Sequence, residues 1–239
     1  MMSNTFKNLL FLIWTSAFFS LGFPFLYSET LTPQNQKAIE AFYKKDWAEA
    51  EKWFLESLKI NPKDPYANYN LACLYSIRLN ECEELSNEDT IYTLLQTAVE
   101  AKPSYRSLML KDKDLSLLRS TYRFNTIAGL PKQEIFTKIH WYGPSPGAYG
   151  PVSSIVFEAN GRFTFSMVQF RENDGALERP KFAGTYVWIS DQVIELDFQK
   201  VPKSFPKQTK RIKATWKQNS LKIEGFEYSF TDSPDRCSA

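Results

Sequence analysis

The spacing of apolar residues changes near the middle of the chain. In the first half they recur at steps of three and four, as in the stripe Trp47, Ala50, Phe54 and Leu58, which is typical of amphipathic helices. Beyond residue 138 they recur at steps of two, so that one face of each segment is apolar, as in half-buried antiparallel strands. The pattern predicts an α+β protein with a helical domain over 30–135 and an antiparallel β domain over 136–239.

Two helical pairs in the first half share a spacing of small, aromatic and proline residues. The first pair carries Asp46-Trp47-Ala48-Glu49-Ala50, Phe54, Leu58 and Asn61-Pro62, and the second carries Asn70-Leu71-Ala72, Tyr75, Ala98 and Lys102-Pro103. This stretch resembles the tetratricopeptide repeat (TPR) family, in which two antiparallel helices form each repeat of an α-helical solenoid. Ser57 and Lys45 depart from the family's usual alanine and glycine. An acidic stretch over 79–89 lengthens the second repeat, and residues 105–130 are expected to form a terminal cap.

The resemblance implies a concave groove lined by the first helix of each repeat. It places these residues there: Asn35, Ile39, Phe42, Tyr43, Tyr66, Tyr69, Cys73 and Ser76. Aromatic and amide side chains suit the recognition of a protein or peptide partner, because they combine contact area with hydrogen bonding. The alternative is that some of them, Ile39 and Phe42 in particular, are core residues.

The pattern of the second half predicts about seven hairpin-linked strands, two of which run over 162–170 and 221–230. Such a series suits a small antiparallel β-barrel or β-sandwich. Asn160-Gly161 is a strong signal for a tight hairpin, and Gly225 suggests a bulge. The run Ala159 to Phe165, followed by Gly184-Thr185-Tyr186, resembles the lipocalin-like domains of bacterial envelope proteins. Such domains set no single activity. We expect an aromatic-filled interior, with a cavity for a small apolar ligand as the alternative.

The N-terminus has the pattern of a secretory signal. Lys7 precedes an apolar run from Leu9 to Leu26, and small and polar residues follow near Ser28. We expect residues 1–28 to be a cleaved signal peptide that directs the protein to the periplasm or the medium. An uncleaved segment that anchors the protein in the membrane is the alternative.

Composition argues against several chemistries. The formal net charge of +2 speaks against nucleic acid as the main partner, and His140 is the only histidine. Cys73, Cys82 and Cys237 lack the spacing of a structural zinc site, although Cys73 and Cys82 could form a disulfide. We therefore expect no enzyme activity, no catalytic residues, no metal and no cofactor.

A basic segment stands out in the β half, because no acidic residue occurs between Asp197 and Glu224. The candidate patch is Lys200, Lys203, Lys207, Lys210, Arg211 and Lys213. Such a patch suits an anionic envelope surface, whereas lysines along a solvated sheet edge are the simpler interpretation. Together these features predict an exported protein-interaction or scaffold protein of the bacterial cell envelope. The alternative is a carrier of a small apolar ligand or lipid.

Overall fold

The structure is a computed structural model that describes residues 31–81, 87–144, 152–171, 173–203, 205 and 208–232. Seven α-helices and one 3-10 helix occupy the first half of these residues. They are α1 (Pro33–Tyr43), α2 (Trp47–Ile60), α3 (Pro65–Asn80), α4 (Glu88–Ala101), α5 (Tyr105–Met109), the 3-10 helix (Lys113–Leu118), α6 (Tyr122–Ile127) and α7 (Lys132–Lys138). The two helical pairs predicted from the sequence are α1–α2 and α3–α4, and the cap is α5, the 3-10 helix and α6.

Helix ends follow from local side chains. Asp46 and Asp64 accept hydrogen bonds from the first-turn N–H groups of α2 and α3, which otherwise have no partner within the helix. Lys45, where the repeat family usually has glycine, adopts a left-handed backbone with a φ of 59°. The lysine therefore keeps the left-handed backbone that a glycine would adopt in this turn, but its Cβ atom makes that conformation strained.

Buried polar contacts join the first three helices. The Asp64 carboxylate accepts hydrogen bonds from Asn35 on α1 at 2.8 Å and from Ser57 on α2 at 3.0 Å. Arg78 on α3 pairs with Glu51 on α2 at 2.7 Å, and both side chains are largely sheltered from solvent. These hydrogen bonds and the ion pair hold the first three helices together. Removal of one partner would leave the other buried without a hydrogen bond, at a cost of about 1–3 kcal/mol.

Ten strands make up the second half. They are β1 (His140–Tyr142), β2 (Ser154–Phe157), β3 (Arg162–Ser166), β4 (Gln169–Phe170), β5 (Leu177–Glu178), β6 (Lys181–Trp188), β7 (Val193–Phe198), β8 (Arg211–Lys217), β9 (Ser220–Ile223) and β10 (Phe230–Thr231). Eight of them form a closed antiparallel barrel in the order β1-β10-β9-β8-β7-β6-β3-β2. The other two, β4 and β5, pair as a separate hairpin.

Two predicted strands are each divided in the structure. The segment 162–170 ends as β3 at Ser166, and β4 begins the outer hairpin. The segment 221–230 separates into β9 and β10 at Gly225, whose φ of +95° makes a turn there instead of the expected bulge. The second division raises the number of barrel strands from seven to eight and allows β10 to close the barrel against β1.

The interior of the barrel is filled by inward-facing apolar side chains. Alternate residues of β2, β3, β7 and β8 are buried, and the ring centroids of Phe163 and Phe198 lie 4.8 Å apart. Gly184 permits this contact: a Cβ atom there would come within 2.6 Å of the Phe163 ring. The aromatic-filled interior expected from the sequence is present among these residues.

Short segments cover both ends of the barrel. One end contains the turns β2–β3, β6–β7 and β8–β9, and α7 covers it with the fully buried Phe136. Phe205 and Phe226 cover the other end, with their ring centroids 4.8 Å apart. The predicted domain boundary at residue 135 falls inside α7, whose Ile135 and Phe136 belong to the core of the barrel.

The repeats and the barrel share one compact unit that begins at Thr32. Asp232, just after β10, is buried and accepts a 2.6 Å hydrogen bond from the backbone N–H of Tyr122 at the start of α6. The Tyr122 ring also meets Trp216 edge-on, with centroids 6.2 Å apart. Among the described helices, none is both long enough and apolar enough to cross a membrane.

Candidate protein-interaction site

The structure divides the eight predicted groove residues into two groups. Four are buried inside the helical domain, namely Asn35, Tyr69, Cys73 and Ser76, with exposures of 1–4%. The other four keep contact with solvent: Ile39, Phe42 and Tyr66 are half-buried, and Tyr43 is 79% exposed. Half of the predicted groove therefore belongs to the core, and these four residues offer no contact surface to a partner.

The cap explains the burial on α3. After α4 the chain forms one short helix and a 3-10 helix, and the latter packs against α3. Tyr69 donates a hydrogen bond of 2.9 Å to Asp112, and its ring lies 4.9 Å from that of Tyr105. The sequence predicted a cap, but it gave no signal that this cap would lie on the predicted groove of the second repeat.

Three tyrosines remain together at the solvent side of the repeats. We call Tyr43, Tyr66 and Tyr105 the tyrosine surface. Burial is the main cause that raises the pKa of Tyr66, and the neighbouring phenols of Tyr43 and Tyr105 raise it further. Tyr43 and Tyr105 therefore both lie near the Tyr66 hydroxyl. The Lys102 ammonium also lies 5.2 Å from the centre of the Tyr105 ring.

A second group of polar residues lies beneath the cap. The thiol of Cys73 and the carboxylates of Asp112 and Asp114 place one ligand-type atom each within 4.8 Å of one another. Burial, and then the charges of Asp112 and Asp114, raises the pKa of the Cys73 thiol well above its usual range. The thiol is therefore protonated, which makes it a poor metal ligand. Sequence spacing could not reveal this cluster, because 39 residues separate Cys73 from Asp112.

Cys73, which the sequence suggested as a disulfide partner of Cys82, is a buried free thiol in the structure. Cys82 and Cys237 lie outside the described residues. His140 is exposed on β1, where its Nδ1 lies 3.3 Å from the Tyr142 hydroxyl. Its contact is with a neighbouring strand residue on the outside of the barrel.

The basic patch is partly balanced by the adjacent strand. Arg211 forms an ion pair of 3.4 Å with Asp197, and Lys213 lies opposite Glu195 in the register of β7 and β8. Lys200, Lys203 and Lys210 are exposed around the β7–β8 connection, and Lys207 lies outside the described residues. The register therefore reduces the positive charge along β8, while the connection remains basic.

Comparison with known proteins bears on the helical half. The tetratricopeptide repeat family matches residues 53–91, which run from the second half of α2 through α3 into the start of α4. This match supports a tetratricopeptide repeat within the helical half. No curated protein and no solved structure matches the chain.

The repeat positions of α2 lie in the interior of the helical half. Ala50, Phe54 and Ser57, identified in the sequence as repeat positions, are all buried between the helices. A domain of this kind supports interaction with a protein partner, because stacked repeats expose one helix from each pair along a shared face.

Proposed function

We propose that this protein is a docking protein whose TPR domain binds a peptide segment of a partner through the tyrosine surface. The observation that carries the proposal is the 79% exposure of Tyr43 next to the half-buried Tyr66. Tyrosine is enriched at protein interfaces, because its ring gives apolar area and its hydroxyl forms hydrogen bonds.

The shape of the surface indicates the kind of partner. Ile39 and Phe42 are half-buried on α1, the helix that ends at Tyr43, and they extend the contact area with apolar atoms. A tyrosine hydroxyl can donate a hydrogen bond, which suits the carbonyl groups of an extended segment. Because the cap occupies the rest of the predicted groove, the contact is short and the affinity modest.

We further propose that the protein works outside the cytoplasm, as a scaffold of the cell envelope. The apolar run from Leu9 to Leu26 after Lys7 supports this proposal. Mass spectrometry of the protein from fractionated cells tests it: a mature chain that begins near residue 29 in the extracytoplasmic fraction is expected. An intact N-terminus in the cytoplasmic fraction would contradict export.

The proposed role is non-catalytic. The exposed position of His140 and the protonated Cys73 support it, because nucleophilic catalysis by serine or cysteine commonly depends on an activating base. The exposed Lys200, Lys203 and Lys210 add a second proposed contact, with an anionic envelope surface.

The docking proposal is tested with a purified partner. Cross-linking in intact cells followed by mass spectrometry identifies candidates, and calorimetry then measures the affinity of each for the wild type and for Tyr43→Ala with Tyr66→Ala. We expect the double variant to weaken binding by about tenfold or more, as interface tyrosines commonly do. Thermal unfolding checks that the fold is unchanged.

Phe170→Ala is the matched control. Phe170 is also an exposed aromatic residue, at 62%, but it lies on the β4–β5 hairpin. The proposal requires this variant to bind as the wild type does. Equal affinity of the wild type and the double tyrosine variant for every identified partner would contradict the proposal.

A further inference from the structure

Phe136 of α7 lies within a cage of aromatic rings that the barrel itself provides. It is fully buried, and five ring centroids lie between 4.5 and 6.0 Å from its own. These rings come from four strands and belong to Trp141, Phe157, Tyr186, Trp188 and Trp216. The central ring of this cluster is therefore supplied from outside the sheet, by a helix that covers the end of the barrel.

One residue of the cage carries a buried polar group without a partner. The indole N–H of Trp141 is fully buried and, among the described residues, has no hydrogen-bond acceptor. The other buried polar groups of the cage have acceptors: Tyr186 donates to the Glu158 carbonyl at 2.9 Å and Trp216 to the Gln218 carbonyl at 2.5 Å. A buried indole N–H usually finds a partner, so the cage matches a more polar occupant than a phenyl ring.

The covering helix lies next to solvent. α7 has seven residues, its start at Pro131 has no side-chain hydrogen bond to cap it, and Lys132, Gln133 and Glu134 are exposed. An open depression adjoins it, lined by Lys132, Gln133, Trp188, Ile189, Ser190 and Asp191. Trp188 belongs both to this depression and to the cage, so the depression adjoins one of the rings that contact Phe136.

We propose that the cage is a binding site for a neutral, flat, single-ring ligand that carries one hydrogen-bond acceptor, with Phe136 as its internal occupant. The ligand ring takes the place of the Phe136 ring when α7 shifts outward, and its acceptor receives the Trp141 N–H. A charged ligand is disfavoured, because no charged side chain is among the five cage residues and burial of an unpaired charge is costly. This site rests on the barrel alone and does not depend on partner docking.

The test compares two probes of similar size, acetophenone, which has one carbonyl acceptor, and ethylbenzene, which has none. Calorimetry with the full chain is expected to show saturable binding of acetophenone to the wild type. Phe136→Ala removes the occupant and is expected to tighten acetophenone binding about tenfold, because the competent state no longer needs to be opened. The Phe136→Ala variant should also bind acetophenone about fivefold more tightly than ethylbenzene, which is the effect of about one net hydrogen bond.

Two further variants separate this site from a mere cavity. Trp141→Phe combined with Phe136→Ala is expected to lose the preference for acetophenone. Phe165→Ala empties a comparable space beside Phe205, Phe226 and Phe230 at the other end of the barrel, and should show no preference. Phe136→Leu replaces Phe136→Ala if the latter unfolds. Failure of the wild type to bind acetophenone, or equal binding of both probes by the Phe136 variant, would overturn the proposal.

Discussion

The two halves of the molecule fill their interiors with opposite kinds of side chain. In the core that α1, α2 and α3 share, four of the seven buried residues of the cluster are alanines: Ala38, Ala41, Ala50 and Ala67. In the barrel, 11 of the 21 buried residues of the cluster are aromatic, and Ala214 is its only alanine. Helices in a repeat must approach one another closely, which requires small residues, whereas a closed eight-stranded sheet surrounds a space that only large side chains fill.

This difference means that substitutions of opposite kinds should damage the two halves. Loss of volume is most harmful in the barrel, where the rings support one another around a closed space. Gain of volume is most harmful in the repeats, where the distance between the helices depends on small residues. Asp232, which accepts the Tyr122 N–H, connects the halves, so damage in either should lower the stability of the whole compact unit.

The largest expected effect is the loss of a ring from the barrel. Trp216 is 1% exposed and contacts Tyr122, Phe136 and Trp188. Trp216→Ala should lower the free energy of unfolding by about 3–5 kcal/mol, because the lost burial is combined with a cavity that the closed sheet cannot collapse into. Urea unfolding followed by far-UV circular dichroism measures the change.

Val187→Ala is the control for this prediction. Val187 lies on β6, next to Trp188, but its side chain faces solvent with 56% exposure. Its truncation should change the free energy of unfolding by less than about 0.5 kcal/mol. A similar loss in the two variants would show that the interior of the barrel does not govern its stability.

The architecture was accessible from the sequence because it is encoded in local patterns. The change from a period of three to four to a period of two near residue 138 reports which face of each element is buried, and this separates helices from strands. The alternation in β7 and β8 is strict, and the structure confirms both strands. Closure of the barrel was harder to predict, because it depends on β10, a strand of two residues that pairs with β1.

Only half of the candidate site could be predicted, because the contacts that bury the other half join residues far apart in the sequence. The repeat spacing predicts the helical pairs, but the burial of Tyr69 depends on Asp112, which is 43 residues away. The contacts of Phe136 with rings from four strands likewise exist only after the barrel has closed. Gly184 shows the same limit, since the Phe163 ring that requires the glycine belongs to another strand.

An intermediate effect is expected when volume is added to the repeats. Ala50 on α2 is fully buried in the same cluster as Ala38 and Phe54. Ala50→Leu should lower the free energy of unfolding by about 1–3 kcal/mol, because extra methylenes in a tightly packed core force neighbours out of their preferred rotamers. The same urea experiment measures it. Ala48→Leu, on the exposed face of the same helix, should be nearly neutral, and a comparable loss there would indicate an effect on the helix itself rather than on packing.

The smallest expected effect concerns the charge of Asp114, which lies beneath the cap of the repeats. Among the described residues, the apolar interior of the barrel contains no comparable charge. Burial, and then the charge of Asp112, raises the pKa of Asp114. The folded state thus holds this proton more tightly than the unfolded state, whose aspartates titrate near about 3.9. The stabilisation is present below that pH and is lost as the pH rises through the folded pKa.

Asp114→Asn should therefore increase stability at pH 7 by less than about 1 kcal/mol, since the group is largely solvated, and the gain should vanish near pH 3. Urea midpoints at the two pH values measure it, with the exposed Asp191→Asn as control. A gain that is equal at both values would mean that the Asp114 charge is not its source.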